Sequence, residues 1–374
     1  MDNTNSVAYI AKVRKVEGIV GADKIELCTV EGWTSTVQKG IHKEGDLVLC
    51  LTTDAVIPEN LATKWGVINY LRNGNRVRTI KLRGVVSECI LIPLFDFSTK
   101  GDKYEGRDLM VDLGIFKYEP PVKTVQGPGG RKYKYKDNSN FHIYYKFPNQ
   151  KNTPNMFDED DVVIISRKIH GTNTRYGIVK KQKISILDRI KRFFGNEWID
   201  YEFIFGSHNV QKNEFGDNKG FYDNDHYKEI LTKYHIKEKM WALVKDMSKE
   251  DIGNGFIIHG EIYGEGVQGQ HYTYGLKGRE AVFFDIELND QYVDTPTFNA
   301  IIEMLDLPMV ENLYIGNWSK EEQEKHVGGN VLNTSSPHEG IVVKSITGER
   351  SKVSKVINPD YHIFSEKKNV PDSH

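Results

Sequence analysis

The chain has little cysteine: Cys28, Cys50 and Cys89 are its only three in 374 residues. They are widely spaced and include no Cys-x-x-Cys pair, which argues against a disulfide framework or a cysteine zinc site and for a reducing compartment. No apolar run approaches the roughly 20 residues of a membrane span. The polar start Met1-Asp2-Asn3-Thr4-Asn5-Ser6 lacks the shape of a secretory signal, so the expectation is a cytoplasmic protein with no membrane partner. Without an export signal, Asn317-Trp318-Ser319 and Asn333-Thr334-Ser335 are chance matches to glycosylation acceptors. Strong charge of either sign is also missing. At a formal net charge of -2, any nucleic acid would be met by local basic patches rather than an overall cationic field. Internal repeats and long low-complexity tracts are absent as well.

The order of local patterns is α+β. Residues 1–117 carry short β-like runs broken by glycine (Val7 to Val13, Ile25 to Val30, Thr34 to Gln38, Asp46 to Leu51, Arg76 to Lys81, Ser87 to Pro93). These predict an OB-like β-barrel domain. Residues 118–140 read as a linker: Glu119-Pro120-Pro121 and Gly127-Pro128-Gly129-Gly130 are followed by Arg131-Lys132-Tyr133-Lys134-Tyr135-Lys136. Those alternating cations and tyrosines fit a solvated edge strand or a nucleic-acid contact. Residues 141–374 mix apolar strands with helices. One helix is expected from about Asp225 to Lys249, another from Pro296 toward Leu305, and a third capped by Ser319 with Glu322.

Chemistry gathers in five segments: Lys168-Ile169-His170-Gly171-Thr172-Asn173, His259-Gly260-Glu261-Ile262-Tyr263-Gly264, Phe283-Phe284-Asp285-Ile286, Glu339-Gly340-Ile341-Val342-Val343-Lys344 and Ser354-Lys355-Val356-Ile357. Lys-x-x-Gly alone means little, since it recurs at Lys15, Lys81, Lys103 and Lys325. The ordered set is what points to a lysine charged with a nucleotide. A lysine attacks an α-phosphate only when neutral, roughly a few parts in ten thousand at pH 7 for an ordinary pKa. A divalent cation, or neighbouring Lys344 and Lys355, would depress that pKa and neutralise a triphosphate. Gly171 admits close backbone approach. Glu261 reaches toward a ribose hydroxyl or a metal, and Phe284 offers a face to a purine. Alternation puts Glu339 and Lys344 on opposite strand faces, so the turn before the strand must bring them to one site. Gly264-Glu265-Gly266-Val267-Gln268-Gly269 spells the dinucleotide fingerprint, but no helix pattern follows it, which rejects a Rossmann reading. Arg72, Arg76, Arg78, Lys81 and Arg83 form a cationic stripe suited to phosphates or to plain solvation.

This order resembles the covalent nucleotidyltransferase superfamily of DNA ligases, mRNA capping enzymes and RNA ligases. The Lys168 segment is most similar to the RNA ligase 2-like ligases. The segments Gly21 to Leu27, Gly45 to Val48 and Arg76 to Gly84 resemble the N-terminal OB domain of the Deinococcus-type ATP-dependent RNA ligases. The resemblance implies a ligase-type, ATP-grasp-like nucleotidyltransferase domain of antiparallel sheets with flanking helices behind that barrel. It makes Lys168 the AMP-accepting nucleophile and His170 a residue of the sealing step. Glu261, Phe284, Glu339, Lys344 and Lys355 become nucleotide contacts, with Lys352 a second motif lysine and Glu339 the metal ligand. Beside the lysine, Ile169 and Asn173 are expected to contact the nucleotide as well, and the cationic stripe makes Arg76, Arg78, Lys81 and Arg83 the expected nucleic-acid contacts. Arg167 stands where the phage-type pattern has glutamate, and Ser207-His208-Asn209 has histidine for the expected arginine. Nineteen residues follow Lys355, too few for the C-terminal OB domain of DNA ligases and capping enzymes, so an RNA ligase is favoured. The implied cofactors are ATP as AMP donor and Mg2+ or Mn2+. The implied partner is RNA with 3′-hydroxyl and 5′-phosphate ends, in a nicked duplex or an RNA-DNA hybrid, with an end-healing kinase or phosphatase upstream. A DNA ligase, a guanylyltransferase and a non-enzymatic OB-containing nucleic-acid binder are the alternatives.

Overall fold

The structure, a computed structural model, describes residues 6–72, 74–99, 101–118, 137–184, 198, 200–208, 210–212, 225–267, 272 and 274–368. Most of the expected linker, with its run of cations and tyrosines, lies outside them. Ala8–Gly18, Ile25–Val30, Trp33–Gln38, Leu47–Thr52 and Cys89–Pro93 form one antiparallel sheet. Its ends curl together: Ser35 Oγ donates to the Cys89 carbonyl at 2.8 Å and the Glu88 N–H to the Thr34 carbonyl at 2.8 Å. Successive strand residues point to opposite faces, so Ala8 and Ile10 serve one core while Tyr9 and Ala11 serve another. All three cysteines are buried free thiols. The barrel is OB-like, as expected.

Two expected strands there are shortened. Arg76 to Lys81 is regular only over Ile80–Leu82, because Gly74 and Asn75 take positive φ and turn the chain just before Arg76. Ser87 to Pro93 breaks at Glu88, whose side chain turns out of the barrel to pair with Lys151.

Behind the barrel stand two antiparallel sheets. One has the order Asn312–Asn317, Val162–Lys168, Gly340–Ser345, Val353–Ile357; the other runs Gln211–Lys212, Tyr201–Gly206, Thr172–Lys180, Gly255–Gly264, Arg279–Leu288, Gln291–Tyr292. In the first, Val163, Ile165, Ile341, Val343 and Val356 make an apolar layer, which leaves Ser166, Lys168, Val342, Lys344 and Lys355 on the other face. In the second, Tyr176, Ile178, Phe256, Ile258 and Ile286 share a core with residues of the helices His226–Lys233, Ile236–Lys245 and Thr295–Met304. Asn173, Arg175, His259, Glu261, Asp285 and Glu287 therefore share the opposite face. Lys344 Nζ lies 3.6 Å from Asp285 Oδ1, which brings the two polar faces together across a cleft.

The helix expected over Asp225 to Lys249 is three helices, His226–Lys233, Ile236–Lys245 and Lys249–Ile252. His235 sits at φ +52 between the first two, a left-handed turn that no helix interior accommodates. The other two helices form as expected. Asp294 caps Thr295–Met304 through the Thr297 N–H, and Ser319 Oγ accepts from the Glu322 N–H.

The barrel is clasped to the rear sheets by a short segment. Lys151 forms an ion pair with Glu88, the Gly32 N–H donates to the Lys151 carbonyl at 3.4 Å, and Trp33 Nε1 donates to Asn152 Oδ1 at 3.0 Å. Both charges of the pair are largely buried, so removing one strands the other. Lys151→Met is expected to destabilise the protein by about 3 kcal/mol in urea unfolding, and Lys151→Met combined with Glu88→Leu to recover most of that loss. A single-variant loss below about 0.5 kcal/mol, the level of an exposed pair, would show that the pair is no clasp.

Candidate active site

Lys168 is the last residue of its strand and lies opposite Gly340. Its Nζ donates to Glu339 Oε1 at 2.8 Å. Glu339 immediately precedes the strand Gly340–Ser345 and swings into the cleft, which is the turn that the alternation of that strand demanded. Gly340 makes the turn possible: φ is +150 and a Cβ would lie 2.1 Å from the Val356 carbonyl oxygen. Gly171 has a different duty, since a Cβ there would lie 2.2 Å from the Ile262 carbonyl oxygen and 2.9 Å from Glu261 Cγ. Only glycine lets the chain after Lys168 press against the second sheet.

Glu261 faces this point from the second sheet, paired in register with Asn173. Burial pushes its carboxyl up to about 8, and Lys168 only partly offsets that. Asn173 Oδ1 is buried with no hydrogen-bond partner among the described residues, an unmet acceptor in the wall of the cleft. Two further cations line the first sheet. Burial pulls Lys355 down to about 8, with the nearby Lys168 charge adding to the effect. Lys344 is lowered by burial against the raising influence of Asp285. Buried cations that lack a full set of counter-charges are poised for an anion.

Phe284 is an extra residue in its strand: His259 pairs with Asp285 and Gly260 with Phe283. The bulge keeps Phe283 in the core, fully buried, and sends Phe284 to the cleft side, where its ring centroid is 5.0 Å from that of Tyr144. Ile169 continues the chain from Lys168 and is half-buried.

Several expected residues are not at this point. Lys352 Nζ sits 2.6 Å from both carboxylate oxygens of Asp161. That residue precedes the far end of the Lys168 strand, roughly 20 Å along it at 3.3 Å per residue, so Lys352 does not share the place of Lys168. His170 is 2% exposed. Its Nδ1 is 2.8 Å from the Tyr361 hydroxyl and its ring packs on Tyr272, so it lies in an aromatic cluster under the helix Pro359–Lys368. Arg167 points away from the cleft and donates to the His326 carbonyl at 3.1 Å. Arg76 pairs with Asp54 and stacks 4.0 Å over the Tyr118 ring. Lys81 pairs with Asp360 at 2.9 Å, and Arg78 donates to the Tyr70 carbonyl at 3.3 Å. Arg83 occupies the turn between Ile80–Leu82 and Val85–Ser87 at φ +52. Ser207 accepts from Arg175 Nε at 2.8 Å through its carbonyl, and Asn209 lies outside the described residues.

The sequence reading missed a second layer. Arg350 Nη1 donates to Asp285 Oδ2 at 2.7 Å and to the Tyr145 hydroxyl at 2.8 Å, and the Tyr144 hydroxyl donates to Asp285 Oδ2 at 3.0 Å. The available signal was an acid inside the apolar run Ala281 to Leu288, which has to find a partner once buried. Nothing local marked Arg350, Tyr144 or Tyr145.

The RNA ligase family matches residues 161–357, and an OB-fold domain family matches residues 7–94. No curated protein matches the sequence. Among solved structures, the chain is similar to a Naegleria gruberi RNA ligase with PPi, with 22% identity, a TM-score of 0.71 and coverage of 98% of this chain and 99% of that one. A variant of that ligase with ATP and Mn gives 22% identity, a TM-score of 0.72 and coverage of 96% and 98%. Another, with AMP and Mn, gives 21% identity, a TM-score of 0.70 and the same coverage. At such identity the structural likeness establishes the shared fold, and the family match over more than half of the sequence establishes kinship: the chain belongs to the RNA ligase family.

Proposed function

We propose that the protein is an ATP-dependent RNA ligase that joins a 3′-hydroxyl to a 5′-phosphate through AMP carried on Lys168. The observation that carries this reading is the placement of Lys168 on Glu339, facing Glu261, in a cleft lined by the buried cations Lys344 and Lys355. The solved relatives with PPi, ATP and AMP support it.

Lys168 Nζ forms a bond to the α-phosphorus as the bond to pyrophosphate breaks. Lys355 and Lys344 bind phosphate oxygens, Glu261 accepts from a ribose hydroxyl, and Phe284 with Tyr144 flanks the base. The unmet acceptor of Asn173 fits a ligand donor there. Glu339 would hold Mg2+ or Mn2+, which supplies charge dispersal at the transferring phosphoryl group. AMP then passes to the RNA 5′-phosphate, and a 3′-hydroxyl displaces it to close the phosphodiester. His170 is best read as a positioning residue that fixes the loop after Lys168. The barrel, residues 1–117, joined by 118–140 to the transferase unit 141–374, offers Arg78, Lys81 and Arg83 to a nicked duplex or RNA-DNA hybrid. End-healing enzymes would prepare such ends in the cytoplasm.

Intact-mass measurement after ATP and magnesium is expected to give an AMP adduct on the wild type and none on Lys168→Ala. A GMP adduct formed in preference with GTP would instead identify a guanylyltransferase. Lys168→Ala is expected to seal a pre-adenylylated RNA that Glu339→Ala does not, if the glutamate serves the later steps.

An anion bound at Lys355 restores its ordinary pKa, so the group takes up protons when ATP binds near pH 8. Calorimetry in buffers of different ionisation enthalpy is expected to find uptake at pH 8 lower by roughly half a proton in Lys355→Met. Equal uptake in both proteins would remove Lys355 from the phosphate site.

His170→Ala is expected to lower self-adenylylation and overall sealing together, by about tenfold or more, with Tyr361→Phe showing a weaker parallel loss. Accumulation of AMP-RNA with self-adenylylation intact would assign His170 to the sealing step itself.

A further inference from the structure

About four residues along the sheet from Glu261, at the opposite end of the strand Gly255–Gly264, a second polar cluster takes no part in the chemistry above. His142 Nδ1 contacts Glu287 Oε1 and lies 4.0 Å from Asp290 Oδ1, and one ligand atom from each of the three falls within 4.8 Å of the others. Two atoms bound to one zinc-like ion, each about 2.0–2.2 Å from it, can be no more than about 4.4 Å apart, so the triad needs only a small adjustment to bind one. The scaffold is firm: Asn289 and Asp290 both take positive φ in the two-residue turn between Arg279–Leu288 and Gln291–Tyr292. Asn254 Nδ2 donates to Asp290 Oδ2 at 2.5 Å and leaves Oδ1 facing His142.

An independent observation points to an ion. His259 is fully buried and neither ring nitrogen has a hydrogen-bond partner. Its Nε2 stands 3.9 Å from Glu287 Oε2, too far for a hydrogen bond. The ring carries an N–H able to donate to that oxygen. A buried donor is seldom left unmade at that cost. The nearby guanidiniums are committed elsewhere, Arg350 to Asp285 and Arg175 to the carbonyls of Ser207 and Phe141. Two carboxylates and a partly exposed imidazole therefore face one point with a surplus of negative charge.

We propose that His142, Glu287 and Asp290 bind a divalent transition-metal ion of the zinc class, with water completing its shell and His259 holding the free oxygen of Glu287. Imidazole with carboxylates favours such ions over magnesium. The ion would pin the segment that carries Tyr144 and Tyr145 onto the hairpin, and with it the aromatic wall beside Phe284. It is separate from the metal assigned to Glu339 and stands whether or not the ligase reading holds.

The test is titration of the full chain, stripped with EDTA, with Co2+ followed by its visible absorption and with Zn2+ followed by calorimetry. One equivalent is expected to bind the wild type and Glu339→Ala alike. His142→Ala and Asp290→Asn are expected to weaken it by at least about tenfold, with circular dichroism of the metal-free proteins matching wild type. Asp290→Asn keeps the size of an exposed side chain and covers the case in which His142→Ala fails to fold. Absence of a Co2+ equivalent in the wild type, unchanged affinity in Asp290→Asn, or its loss in Glu339→Ala would overturn the proposal.

Discussion

Asp285 is fully buried, and an isolated carboxylate in that position would cost far more than any fold could recover. Its partners are what close the cleft. Arg350 from the turn after Gly340–Ser345, Lys344 from that strand itself and Tyr144 from the segment before the Lys168 strand all converge on it. A single acid on the six-stranded sheet thus fastens the four-stranded sheet face to face with it. Arg350 also lies 3.7 Å over the Tyr292 ring and 4.8 Å from that of Tyr145, so the same contact orders the aromatic side of the cleft.

With the sheets held that close, the remaining charges cannot relax into solvent. Lys168 pairs with Glu339, Lys355 is pulled down by burial and by Lys168, and Glu261 is pushed up by burial. The cleft thus gathers buried cations, an aromatic face and polar acceptors within one narrow space. Preorganised charge of this kind needs little rearrangement when a phosphoryl group transfers.

The barrel is fixed to this unit by contacts of two different strengths. Lys151 with Glu88 is buried and hydrogen-bonded through a loop that also touches Trp33, whereas Lys81 with Asp360 is exposed at both ends. Solvent screening leaves the second worth little. The helix Pro359–Lys368 that receives Lys81 also holds His170 through Tyr361, so the barrel, the helix and the loop after Lys168 form one line of contacts.

The sequence by itself determined the barrel, the α+β order and the motif segments that meet at Lys168, because strand alternation and glycine spacing are local properties of the chain. The segments it singled out, with Glu261, Glu339, Lys344, Lys355 and Phe284, come together at one cleft, and it named the geometric condition on the turn before Gly340. It could not see what lies opposite a residue. Arg76 pairs with Asp54 and stacks on Tyr118, Lys352 is near Lys355 in sequence yet pairs with Asp161, and His170 is two residues from Lys168 yet is buried against Tyr361. The single helix expected over Asp225 to Lys249 breaks first at His235, whose backbone is left-handed. Which charges pair, and which are left open for a ligand, depends on distances between segments far apart in the chain. Only the packing of one sheet against the other decided them.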